Sequence, residues 1–164
     1  MATFSGTLKV GLSGSYIKAS DLTTLTEIID YTNSPTAYTN GTGANQINAF
    51  YADTRTLAAT NESFDLDAGT ITDSYGTGLV FTKIKLLYIR NKSTTTAQTL
   101  TLTGDFLTQA GFGAAAGGLI IGPGGLLCLD NPIDGYSITA GTGDVITVTN
   151  AASFDYDIII GGTV

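Results

Sequence analysis

Histidine and tryptophan are absent from these 164 residues, cysteine occurs once and proline three times. Without histidine there is no Ser-His-Asp or Cys-His triad, no imidazole metal ligand and no side chain that naturally shuttles protons near neutral pH. A single cysteine, Cys128, excludes an intrachain disulfide, a two-cysteine redox pair and a zinc site. It lies in the apolar run Leu126-Leu127-Cys128-Leu129, where a free thiol is expected to act as a small buried hydrophobe. Charge is scarce as well, at 13% of residues, and acidic in balance: 7 Lys and Arg against 14 Asp and Glu, a net charge of −7. That field repels phosphate, so neither nucleic acid nor an anionic membrane is an expected partner. No apolar run reaches the roughly 18 residues of a membrane-spanning helix; residues 119–129 are broken by Gly122-Pro123-Gly124-Gly125. The opening Met1-Ala2-Thr3-Phe4-Ser5 has no basic stretch followed by an apolar core. No signal peptide is read there, and the product is expected to be soluble and intracellular when made.

What the chain has in quantity is threonine, 28 residues, and glycine, 21. Threonine is β-branched and suits a pleated surface better than a helix. Apolar and polar residues alternate at Leu8/Val10/Leu12, Phe64/Leu66, Leu100/Leu102, Ile146/Val148 and Phe154/Tyr156/Ile158/Ile160, the period of half-buried strands. Turn pairs such as Asn40-Gly41 and Asp134-Gly135 fall between them, and strands about ten residues apart predict an antiparallel all-β sandwich or barrel. Residues 79–91, LVFTKIKLLYIRN, place apolar side chains on both parities, which predicts a central strand with a bulge or a change of surroundings midway. Leu22, Leu25, Ile28 and Ile29 after Ser20 fit either a short helix or an irregular edge segment. Residues 32–48 read as a polar loop or arm crossing the outside, and residues 109–118 as a second mobile stretch. The organisation expected is an N-terminal strand or arm region over residues 1–40 and a β-sandwich domain over 41–164, as one structural unit. Phe64, Leu66, Leu86, Tyr88, Ile146, Val148, Tyr156 and Ile158 are the expected core.

Little in the sequence asks for a catalytic explanation. Asp65/Asp67, Asp155/Asp157 and Asp130/Asp134 are candidate carboxylate pairs for glycoside hydrolysis. The first two pairs sit at i, i+2 on strands whose other face is apolar, so they are expected on a wet outer face. Calcium needs several oxygens around a loop, and Asp65, Asp67 and Asp73 flank the turn Ala68-Gly69-Thr70, but without the spacing of an EF-hand. The glycine loops at 41–43 and 111–118 lack the strand–loop–helix setting and the lysine that phosphate binding requires. Sequons at Asn40, Asn61 and Asn91 follow from an Asn- and Thr-rich composition. No catalytic residue, cofactor or metal site is assigned on these grounds.

Residues 42–78, TGANQINAFYADTRTLAATNESFDLDAGTITDSYGTG, are followed by FTKIKLLYIRNKS, by GPGGLLCLDNPIDGYSITAGTGDVITVTN and by YDIIIGG. Over roughly residues 40–162 this pattern resembles small virion proteins of tailed phages, similar to jelly-roll capsid cement (decoration) proteins. The resemblance implies a jelly-roll-like sandwich of eight strands in two sheets. It also implies a non-enzymatic role: binding and stabilising the major capsid lattice from the outer surface of the virion, after synthesis in the host cytoplasm. The partners implied are the major capsid protein and copies of the chain itself, as a trimer or dimer, with residues 1–20 and 32–48 as candidate arms. A tail or fibre component shares the same style. A glycan- or receptor-binding module is a third reading, for which Tyr16, Tyr38, Tyr51, Tyr75 and Tyr88 would be the aromatic platforms.

Overall fold

A computed structural model describes residues 3–19, 24–32, 35–58, 60–113, 117–150 and 152–164. Its strands are β1 (Gly6–Leu8), β2 (Gly11–Ala19), β3 (Thr24–Thr32), β4 (Thr36–Asn40), β5 (Gln46–Ile47), β6 (Ala49–Ala58), β7 (Asn61–Asp65) and β8 (Lys83–Asn91). There follow β9 (Leu100–Thr103), a one-turn helix α1 (Asp105–Leu107) opening into a wider turn over Thr108–Phe112, then β10 (Leu119–Ile121), β11 (Leu126–Asp130), β12 (Tyr136–Ser137), β13 (Val145–Thr149) and β14 (Ser153–Thr163). The protein is all-β, and among the described residues every sheet but one is wholly antiparallel; the exception is the short parallel pairing of β4 with β5.

Two sheets carry the core. One runs β10-β9-β13-β7 and the other β11-β8-β14-β6, with β12 also paired to β8. The pairings nest along the chain: β6 with β14, β7 with β13, β8 with β11 and β9 with β10. Leu100, Leu102, Ile146 and Val148 of the first sheet meet Leu87, Ile89, Tyr156, Ile158 and Ile160 of the second in one apolar cluster. Alternation explains the choice of side: strand side chains point to opposite faces in turn, so the apolar parity goes in and the threonines and aspartates go out. Of the expected core, seven residues are buried and Tyr88 is half-buried.

Strand β8 shows why its sequence carries apolar residues on both parities. Gly161 pairs with Leu86 and Gly162 with Ile84, so Lys85 is an extra residue, a bulge that switches the parity of the strand. Ile84, Leu87 and Ile89 then share the main core, while Leu86 faces the other side. There it meets Tyr38 and Ile47, both buried, from a small outer sheet β1-β4-β5. Residues 36–47 are therefore docked strands and turns; the polar stretch is held by two apolar side chains. Lys85 is 1% exposed beneath this layer, and its ammonium donates to the carbonyls of Gly43 and of Pro132, the latter at 3.3 Å. Burial, with Lys83 nearby, pulls its pKa below the ordinary lysine value.

The segment read as helix or irregular edge is neither over its described part. Residues 24–32 form β3, which pairs with all of β2 from Gly11↔Thr32 to Ala19↔Thr24; Leu22 lies outside the described residues. Thr24 and Thr26 favour the extended chain. Residues 109–112 form the turn after α1, and residues 114–116 lie outside the described part.

Candidate interaction surface and acidic cluster

Among the described residues, the ribbon β2–β3 is a sheet of two strands. Val10 just before it and Leu12, Ile17, Ile28, Ile29 and Tyr31 within it are exposed, Ile28 to 80%. The register puts Leu12 opposite Tyr31 and Gly14 opposite Ile29 on one face, and Ser15 opposite Ile28 and Ile17 opposite Thr26 on the other. Both faces thus present apolar groups to water. A two-stranded ribbon is at best marginally stable alone, and contiguous exposed apolar surface marks an interaction site.

The candidate carboxylate pairs fare differently from one another. Asp155 and Asp157 lie on the outer side of β14, where the hydroxyls of Thr56 and Thr54 donate to them at 2.6 Å and Lys92 pairs with Asp157 at 3.4 Å. These are cross-strand contacts that join β14 to its neighbours. Asp130 accepts from the Tyr38 hydroxyl and, at 3.2 Å, from Thr36, and so ties β4 to β11. Asp134 is exposed in the turn beyond. Asp65 and Asp67 are half-buried rather than set on a wet face. They meet Asp144, a residue to which no sequence motif points, and one carboxylate oxygen of each lies within 4.8 Å of the others. Asp73 takes no part: its Oδ1 accepts the amides of Tyr75 and Thr77, both at 2.9 Å.

A second polar group surrounds Arg55, which pairs with Glu62 and, at 3.1 Å, with Asp53. The buried Tyr156 hydroxyl donates to Glu62 at 2.6 Å, and burial together with this bond raises its pKa above the ordinary tyrosine value. Cys128 is half-buried against Tyr38, Ile47 and Leu86, and burial followed by the Asp130 charge raises its pKa, which keeps it a thiol. Asn91 is fully buried and donates to the carbonyls of Gln98 (2.8 Å) and Ile121 (3.2 Å), so that sequon is inaccessible. Of the five tyrosines considered as platforms, Tyr38 is buried, Tyr51 and Tyr88 are half-buried, and Tyr75 is 82% exposed. The side chain of Tyr16 lies outside the described residues.

No protein-family model, curated protein or solved structure matches the chain.

Proposed function

We propose that this chain is a non-enzymatic structural protein of a phage particle, a capsid cement protein that binds the outer face of the major capsid lattice and copies of itself. The exposed ribbon β2–β3 carries the reading. An arm with apolar groups on both faces gains stability when a neighbour covers it, and repeated over a lattice such arms add up through multivalency. The jelly-roll reading of the body is supported by the nested pairing. Lettered B to I in chain order, the strands β6 to β11, β13 and β14 run B-I-D-G in one sheet and C-H-E-F in the other. The absence of histidine and the pairing of Asp130, Asp155 and Asp157 with hydroxyls, and of Asp157 with Lys92, agree with a binding role.

The test compares the full chain with a variant whose residues 11–32 are replaced by a short Gly/Ser turn. Both should fold with similar melting temperatures, but only the full chain should co-sediment with capsids, and electron microscopy of particles should place it over the whole shell. A location confined to the tail would favour the tail-component reading instead. Equal capsid binding by both proteins would remove the ribbon as the basis of the proposal.

A further inference from the structure

Three carboxylates from distant stretches converge at one end of the sheet β10-β9-β13-β7. Asp65 closes β7, Asp67 follows in the turn, and Asp144 immediately precedes β13, whose Val145 pairs with Asp65. Two of them, Asp65 and Asp144, are fixed by the backbone around them. Asp65 Oδ1 accepts the amides of Asp67 (3.2 Å) and Ala68 (3.1 Å), and Asp144 Oδ2 accepts the amide of Gly141 (2.5 Å). The Asp144 main chain is clamped on both sides: its carbonyl accepts from Leu66 at 2.8 Å and its amide donates to Asp105 at 3.1 Å.

Asp144 is 4% exposed, and its buried Oδ1 has no hydrogen-bond donor among the described residues. A buried carboxylate oxygen left in that state is costly. Nothing cationic relieves it: among the described residues the salt bridges join Arg55 to Asp53 and Glu62, and Lys92 to Asp157.

We propose that Asp65, Asp67 and Asp144 bind a divalent hard cation, calcium, with Asp144 Oδ1 as its innermost ligand. The spacing fits one ion. Calcium–oxygen distances of about 2.3–2.6 Å place ligands on opposite sides of the ion about 5 Å apart at most, and one carboxylate oxygen of each of the three residues lies within 4.8 Å of the others. Asp65 and Asp67 are half-exposed, which leaves room for water to complete the shell. Calcium accepts such an irregular set of oxygens, whereas magnesium demands a near-ideal octahedron. The bound ion pins the turn after β7 to the turn before β13, two loops otherwise held by backbone hydrogen bonds.

The test uses the full chain stripped with a chelator and titrated with calcium chloride by calorimetry and by thermal melting. One ion per chain should bind, and at ten times Kd the melting temperature should rise by about 3–6 °C. Asp67→Asn should weaken calcium binding at least about tenfold, while without calcium it should melt no lower than the stripped parent, because one repelling charge is gone. Asp73→Asn should bind calcium like the parent. The proposal is overturned if the parent shows no saturable calcium binding at millimolar concentration, or if Asp67→Asn binds with the parent's affinity.

Discussion

Gly161 and Gly162 are neighbours on β14, both buried, and both sit where the outer layer and the bulge crowd the strand. A Cβ on Gly162 would lie 2.1 Å from the carbonyl oxygen of Lys83 and 3.0 Å from Phe81 Cδ1. A Cβ on Gly161 would lie 2.9 Å from Ile47 Cδ1 and 3.5 Å from Leu86 Cβ. In the first case the obstacle is the backbone of a paired strand, which cannot yield without opening the ladder. Gly162→Ala should therefore cost at least about 3 kcal/mol, the upper end of ordinary overpacking. In the second case the obstacle is the tip of one side chain. Gly161→Ala should cost about 1–2 kcal/mol, softened by the roughly 0.4–1 kcal/mol that alanine gains over glycine through the unfolded chain. Ile47→Val deletes the obstructing Cδ1 and alone should cost about 0.5–1.5 kcal/mol. Combined with Gly161→Ala, it makes room for the new methyl, so the double variant should be more stable than additivity allows by about 0.5–1.5 kcal/mol. Combined with Gly162→Ala it should simply add. Urea unfolding of the five single and double variants and the parent, with unchanged m-values, measures all of this. Additivity in the 161/47 pair, or coupling in the 162/47 pair, would refute the packing of β5 over β14 and with it the docking of the outer sheet.

Two further predictions use titration. Tyr156→Phe removes the hydroxyl that Glu62 accepts and should cost about 1.5–3 kcal/mol at neutral pH, the range for a bond to a charged group. Because the folded pKa of Tyr156 is raised above 10.0, its contribution is complete below that pH and is lost as pH rises past it, so parent and variant should converge in alkaline urea melts. Lys85→Met has the opposite signature. The folded pKa of Lys85 is lowered from 10.5, so between the two values the unfolded chain holds the extra proton, and the parent should gain stability over the variant as pH rises towards 10.5. A pH-independent difference would mean that the Lys85 ammonium is solvated.

Much of the fold was legible because strand patterning is local. The alternation at Leu100/Leu102, Ile146/Val148 and Phe154 to Ile160 predicts buried strands, and each is one. The double parity of residues 79–91 marks the bulge at Lys85. What stayed hidden depends on partners far along the chain. Tyr38 and Ile47 are single apolar residues in a polar stretch, with no period to announce them; only packing against Leu86, on the outer face of β8, makes them core. Residues 22–29 carry helix-like spacing, but a helix needs a body to bury its stripe, and the threonines settle residues 24–32 as a strand against β2. The acidic cluster is only partly visible in sequence for the same reason: Asp65 and Asp67 stand out as a pair, but Asp144 joins them only through the register of β13 on β7.

The nested pairing also governs when the protein can fold during its synthesis. Strand β14 lies between β6 and β8, and β13 lies between β7 and β9, so each sheet is split down its middle until its last strand arrives. Until then β8 can pair with β11 and β9 with β10, but β6 and β7 lack their partners, β14 and β13. Neither sheet can be complete before its last strand has emerged, β13 for one and β14 for the other, and the long loop closures this requires favour slow folding. Truncation before β14 should yield not a smaller fold but an aggregating chain.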